Sequence, residues 1–337
     1  MINSFYHFIR APFRLPIGGG GTDLPAYYQK YGGFLITAAI NKYMYVSINE
    51  PALVDKIKIN YTKTEIVDLN QIAEIRHEIV RESLKYLQIK RPLEISSMAD
   101  LSAGTGMGSS SAYTVALLKG LNQMLRRFIP IQELAEEACK IEIEMIGKPI
   151  GKQDQYATSF GGIIQMDIDK NGSVQVTPLI LEPEIITELE NRLLIFSTNY
   201  QRDANEILGE QSQKAREDES ETIASMHRIK AIGYEIKKAL IQGEIDQFGN
   251  LLHEHWLTKK RISNKMSNTI IDQWYDLGLA NGALGGKVMG AGGGGLMVFC
   301  VKNGNRKKLR KAMEEAGMKY LDFRFDFEGV KTLVNFS

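Results

Sequence analysis

An α+β chain built as two domains is what the sequence predicts, on three observations. The first half mixes alternating, β-branched segments with helical ones. The second half opens on a long polar block rich in Glu, Lys and Gln, and the tail then returns to short strands around a glycine run. In order, strands are expected at 33–49 (GFLITAAINKYMYVSIN) and 56–61 (KIKINY), a helix at 71–87, and a strand at 92–98 that leads into a glycine loop. Helices at 110–125 and 131–146 follow, then a strand pair, 161–168 and 174–179, turning at Asn171-Gly172. Beyond a short strand at 192–197, helices fill 203–280. Strand 287–289, glycine loop 290–295, strand 296–301, helix 306–316 and strand 320–327 complete the chain. The domain boundary is expected between 180 and 190, giving segments 1–185 and 186–337.

The 337 residues suffice for two cores without disulfide or metal staples. Forty-one basic side chains face 40 acidic ones, so no global field favours nucleic acid or an anionic membrane. An anionic ligand must therefore be held by local geometry. Cys139 and Cys300 form no CxxC pair, which argues against a zinc site or a disulfide framework. The first residues lack the apolar core and cleavage site of a signal peptide, and no stretch of about twenty apolar residues occurs. A soluble cytoplasmic protein is expected, with a homodimer left open.

Three glycine-rich segments punctuate the chain. In the first, Gly18–Gly21 lead into Thr22-Asp23. Four glycines let something approach the backbone, and Thr-Asp can bond to hydroxyls, although alone the run reads as a flexible turn. The second, Asp100-Leu-Ser-Ala-Gly-Thr-Gly-Met-Gly-Ser-Ser-Ser-Ala112, follows a strand and opens an apolar helix. Such a loop can turn successive N–H groups inward around phosphates, and a helix start favours an anion. Helix capping needs one serine, not three behind three spaced glycines, so phosphate binding is the better reading. The third, 285–296, contains G-x-G-x-x-G at Gly290, Gly292 and Gly295 but continues as a strand, whereas a dinucleotide fingerprint must open a helix. P-loop and protein-kinase signatures are absent.

Between the second and third segments lies Gly151-Lys-Gln-Asp-Gln-Tyr-Ala157. Asp154, beside Lys152, can orient or deprotonate a substrate hydroxyl; locally it reads equally well as a surface ion pair. In the preceding helix, at about 100° per residue, Glu142 falls in the apolar sector of Leu134, Ala138 and Ile141, while Glu136 and Lys140 point away. A carboxylate aimed at a core needs a partner: a metal ion or a buried Lys or Arg.

Taken together, these segments resemble the GHMP kinases, the family of galactokinase, homoserine kinase and mevalonate kinase, in order and over nearly the whole chain. The 104–112 loop is the most specific match. Gly-Gly-Gly-Gly-Thr-Asp with Gly-Lys-Gln-Asp-Gln-Tyr-Ala is most similar to the kinases of D-glycero-D-manno-heptose 7-phosphate. The resemblance implies a ribosomal protein S5 domain 2-like N-terminal domain, a ferredoxin-like C-terminal domain, and an active site between them. It implies ATP and Mg²⁺ as cofactors, Asp154 as catalytic aspartate placed by Gln155, and Arg14 steadying developing charge. Gly104, Gly106, Gly108, Ser109 and Ser111 would cradle ATP phosphates, and Ser110 with Glu142 would hold Mg²⁺. Thr22 and Asp23 would meet sugar hydroxyls, and Gly292 and Gly293 would shape the acceptor pocket. Galactokinase-like members carry Glu-His where this chain has Gly20 and Gly21, which suits a longer acceptor bearing a phosphate. Lys152, Arg202 and Lys287 are candidate cations for that phosphate, each also readable as ordinary surface charge. The implied reaction is transfer to the C1 hydroxyl of heptose 7-phosphate. A kinase for a free hexose such as fucose or galactose, or a silent sugar- and ATP-binding regulator, are the alternatives.

Overall fold

The computed structural model describes residues 5–102, 104–198, 204–217, 219–263 and 265–336. Its first sheet is organised by two long strands, β1 (Tyr6–Gly18) and, after helix α1 (Pro25–Tyr31), β2 (Gly33–Asn49). They pair antiparallel from end to end, with register shifts at Pro12/Phe13 and Pro16/Gly18. Bulges of this kind re-aim side chains, and Arg14 sits between the two shifts. β3 (Lys56–Asn60), β4 (Thr64–Asp68), helix α2 (Glu78–Tyr86) and β5 (Leu93–Ala99) follow. β5 takes the far half of β2 and pairs parallel with β3.

Helix α3 (Ser109–Met124) is apolar nearly all round and runs beneath this sheet, burying Val115, Leu118 and Leu121 against Ile9, Ile48 and Ile95. Helices α4 (Ile131–Cys139) and α5 (Gln153–Phe160) pack beside it. β6 (Ile163–Ile168) then takes the near half of β2, and β7 (Val174–Pro178) pairs with β6.

After α6 (Pro183–Arg192), a second sheet begins with β8 (Leu193–Ser197). Among the described residues four helices intervene: α7 (Ala204–Arg216), α8 (Ser220–Ile241), α9 (Ile245–Lys260) and α10 (Thr269–Ala280). β9 (Ala283–Val288), β10 (Leu296–Val301), α11 (Arg306–Glu315) and β11 (Lys319–Leu321) close the sheet in the order β11-β8-β10-β9, the ferredoxin-like arrangement. Its core is Phe196, Trp256, Phe299 and their neighbours. No helix among the described residues is long and apolar enough to cross a membrane.

Three expectations change. The helix foreseen at 71–87 is a 3₁₀ turn, Leu69–Glu74, followed by α2, because the Glu65 carboxylate takes the Arg76 and His77 N–H groups (2.7 and 3.1 Å). The strand foreseen at 320–327 ends at Leu321; Arg324 N–H donates to the Asn41 side chain and Phe325 N–H to Glu190. A final strand, β12 (Lys331–Phe336), returns to the first sheet and pairs with β1. Lys331–Phe336, within segment 186–337, thus adds an edge strand to the first sheet.

Candidate active site

The second glycine segment forms the loop that enters α3. Gly108 adopts a left-handed conformation (φ +77°) directly before the helix. A Cβ there would lie 3.1 Å from Asp154 Oδ2 and 3.3 Å from Arg14 Cγ, so glycine lets the loop touch the charged pair behind it. Gly106 is in equal need of glycine: a Cβ would meet the Met289 carbonyl at 2.6 Å, where the third glycine segment crosses over the second. No side chain caps α3. Capping by the serines is thereby ruled out, and the first-turn N–H groups stay available to an anion. Ser109 and Ser110 are partly exposed; Ser111 is buried, so it offers its N–H rather than its hydroxyl.

Behind the loop, Arg14 from β1 grips Asp154 in the first turn of α5. Nε to Oδ1 is 2.7 Å and Nη2 to Oδ2 is 3.0 Å, the bidentate geometry of a strong charge-assisted pair. Arg14 also donates through Nη1 to the Gly106 carbonyl and through its main chain to Met107 (3.0 Å). One buried guanidinium thus joins strand, glycine loop and aspartate. On the other side of Asp154, Asp23 accepts N–H groups from Gly21 and Gln153, both at 3.0 Å. Burial raises its pKa above the ordinary carboxylate value, with the Gln153 N–H opposing and the charge of Asp154 adding to the rise.

Glu142 is fully buried, as its place on the helix face predicted, in a π-helical turn, Lys140–Met145, that extends α4. Such turns often mark functional positions. Its Oε1 lies 2.5 Å from the Ser110 hydroxyl, and its Oε2 accepts from the Gln155 amide at 2.8 Å. Lys148, which sequence reasoning passed over, reaches into the same spot. Its ammonium is 2.6 Å from Ser110 Oγ and 3.2 Å from Glu142 Oε1. Both readings of Glu142 therefore meet here: it has a lysine partner, and it stands beside the hydroxyl that would share a cation. No group of three His, Cys, Asp or Glu among the described residues could hold a metal alone.

A cleft opens between the two sheets' elements. Arg14, Gly20, Gly21, Asp23 and Asp154 form one wall. His255 and Lys259 from α9, with Lys287 from β9, form the other. A Cβ on Gly20 would meet only Gln153 Oε1, at 3.6 Å. A larger surface depression bounded by Glu188, Lys238, Asp246 and Asn303 contains none of the predicted site residues.

Several predicted contacts lie elsewhere. Thr22 is buried, its hydroxyl bonded to the carbonyls of Gly19 and Phe34 (both 2.8 Å), so it shapes the glycine turn rather than meeting a sugar. The Lys152 ammonium is committed to Glu136 (2.9 Å) and the Gly172 carbonyl (2.7 Å), away from the cleft. Gly290 and Ala291 border the cleft, whereas Gly293 donates to the Met266 carbonyl (2.8 Å) and Gly292 packs on the same residue. Arg202 lies outside the described residues. Of the two proposed cations among the described residues, Lys287 lines the cleft and Lys152 does not; Lys259 and His255 join Lys287 there. Those two could have been found as Glu142 was: Phe248, Leu252, His255 and Lys259 share one face of α9.

A glycine loop on a helix start, backed by an Arg–Asp pair at the mouth of a polar cleft, defines a small-molecule phosphotransferase. Comparison with known proteins agrees. The family description "GHMP kinases N terminal domain" matches residues 75–162 and "GHMP kinases C terminal" matches 236–319. The chain is 33% identical to D-glycero-alpha-D-manno-heptose 7-phosphate kinase of Campylobacter jejuni, over 96% of this chain and 97% of that one. A crystal structure titled as a D-glycero-D-manno-heptose 1-phosphate kinase, from Bacteroides thetaiotaomicron, superposes with a TM-score of 0.80 at 27% identity, covering 98% and 99% of the two chains. Galactokinase of Lactococcus lactis shares the fold at a TM-score of 0.78 and 20% identity, covering 97% of this chain and 95% of that one. The chain belongs to the GHMP kinase family, as a sugar kinase that uses ATP as phosphate donor.

Proposed function

We propose that the protein transfers the γ-phosphate of ATP to the anomeric C1 hydroxyl of D-glycero-D-manno-heptose 7-phosphate, giving the 1,7-bisphosphate for nucleotide-activated heptose synthesis. The observation that carries this reading is the position of Asp154, between the Gly104–Ser111 loop and the cleft bearing Asp23. The acceptor oxygen forms its bond to the γ-phosphorus as the bond from that phosphorus to the β,γ-bridging oxygen breaks, and ADP leaves. Asp154 orients the acceptor hydroxyl and takes its proton; an anomeric hydroxyl is acidic enough for a carboxylate to serve. Arg14 and the loop N–H groups neutralise charge on the transferring group. Asp23 lines the cleft, where its carboxyl would meet sugar hydroxyls.

Ser110 and Glu142 fit Mg²⁺, which in kinases takes one or two protein oxygens and completes its shell with phosphates and water. When bound, it supplies charge neutralisation at the β- and γ-phosphates. Gln155 holds Glu142 in place for that task, and Lys148 balances the buried carboxylate. Replacing Glu142 by Gln should raise the Mg²⁺ concentration needed for half-maximal activity and lower kcat. If Glu142 only pairs with Lys148, melting temperature falls while the Mg²⁺ requirement holds, so melts and Mg²⁺ titrations together decide.

The heptose phosphate assignment draws on the Campylobacter relative and on the cleft, where Gly20 leaves room, although the Gln211 amide fills the space beside Gly21. The Bacteroides relative carries the name of a heptose 1-phosphate kinase, so the position phosphorylated must be read directly. Screening phosphorylated and free hexoses and heptoses, with phosphorus NMR of the product, tests the proposal. A free hexose outperforming every sugar phosphate would end it. Gly20→Glu should selectively harm a phosphorylated acceptor by crowding and repulsion, by roughly one to two decades in kcat/KM if one charged contact is lost.

A further inference from the structure

We propose that Lys259, Lys287 and His255 form the seat for the acceptor's own phosphate, a phosphate monoester dianion. The inference rests on the reading of the acceptor as a sugar phosphate and names the residues that read it. All three side chains are more than nine-tenths buried: Lys259 is 8% exposed, Lys287 3% and His255 1%. Yet all three line the cleft. Lys259 donates to the Gly290 carbonyl at 2.6 Å and Lys287 to the Ile17 carbonyl at 2.9 Å. Neither has a carboxylate at ion-pair distance among the described residues. Both nitrogens of His255 are without a partner among the described residues.

Buried cations normally come paired, because an uncompensated charge inside a protein is costly. Here burial lowers the pKa of all three groups; Lys259 adds to the lowering of Lys287, both lysines add to that of His255, and Arg14 adds to that of each lysine. A dianion satisfies all of these groups at once: each ammonium keeps its carbonyl and gains an oxygen, and His255 donates a third hydrogen bond. The acceptor is the source the geometry favours over ATP. The cleft includes Asp23 and Gly20, but no residue of the Gly104–Ser111 loop lines it. Lys152, the cation nearest to Asp154 in sequence, is spent on Glu136.

The test compares wild type with Lys259→Met and Lys287→Met, using heptose 7-phosphate and unphosphorylated heptose at saturating ATP. Wild type should favour the phosphorylated sugar by roughly one to two decades in kcat/KM. Each methionine variant should collapse that ratio toward one, chiefly through KM, with KM for ATP holding; Lys287→Arg, which keeps the charge, should retain most of the preference. Independently, inorganic phosphate without nucleotide should raise the melting temperature of wild type and not that of the methionine variants. Equal losses on both sugars, or a rise confined to KM for ATP, overturn the seat: the first makes the lysines merely structural, the second gives them to the γ-phosphate. A wild type that prefers phosphorylated sugars, with variants that keep the preference, also overturns it and leaves the substrate reading intact. A wild type with no such preference sinks the substrate reading; the seat then stands or falls on the phosphate-dependent melting shift.

Discussion

Asp154→Asn should lower kcat by about 10²–10⁴ while leaving the KM for ATP nearly unchanged. The substitution preserves volume but removes the proton acceptor at the point between phosphate loop and acceptor cleft. It also disturbs Arg14, which now meets an amide: one of its two bonds, 2.7 Å to Oδ1 or 3.0 Å to Oδ2, must face an NH₂ group, donor against donor. Arg14 is buried and its third nitrogen, Nη1, is held by the Gly106 carbonyl, so part of the loss is positional. Steady-state rates read beside a thermal melt separate the two contributions. Turnover near that of wild type would remove Asp154 from the chemistry. A variant that melts far below wild type would instead show that the pair chiefly holds loop to strand.

Much of this centre was legible before any coordinates. The Gly104–Ser111 loop announced itself because spaced glycines ahead of serines have few other uses, and α3 begins within a residue of its expected start. Glu142 was placed by helical geometry alone, and it is fully buried. What stayed hidden was hidden for physical reasons. β1 is broken in sequence by Pro12, Pro16 and a glycine run, and its buried character comes from partners on both sides, β2 and β12, that lie far along the chain. β12 itself is half-exposed and has no continuous apolar face, so its pairing rests on β1 rather than on its own pattern. Lys148 depends on a π-helical turn that ordinary helical spacing does not represent. Thr22 looked free because a hydroxyl beside glycines reads as a ligand contact; only the fold shows Gly19 and Phe34 claiming it.

Lys259→Met should make the ligand-free enzyme more stable at pH 7 even as it weakens use of a phosphorylated acceptor. Burial pushes the Lys259 pKa down from 10.5 to about 8, with Arg14 adding repulsion and Asp23 partly offsetting it. A depression of that size corresponds to a penalty of the order of 3 kcal/mol for carrying the charge in the folded state. Methionine fills nearly the same space without charge but strands the Gly290 carbonyl, which costs about 1–3 kcal/mol. The charge effect wins, narrowly, leaving a gain of about 1 kcal/mol or roughly one to two degrees in Tm. Its pH dependence has a definite sign. Below about pH 8 the lysine is protonated whether the chain is folded or unfolded, and wild type bears the full penalty. Between about 8 and 10.5 the unfolded chain holds a proton that the folded one has released, so wild-type stability climbs with pH and the advantage of the variant fades. Over the same range KM for the sugar phosphate should rise in wild type, because the neutral amine no longer attracts the dianion, and should rise less steeply in Lys259→Met, where Lys287 is the lysine left in the seat. Melts and kinetics at pH 7 and pH 9.5 measure both trends. A variant that is less stable than wild type at every pH, with a KM profile that rises as steeply as that of wild type, would show that the lysine serves the fold and not the acceptor.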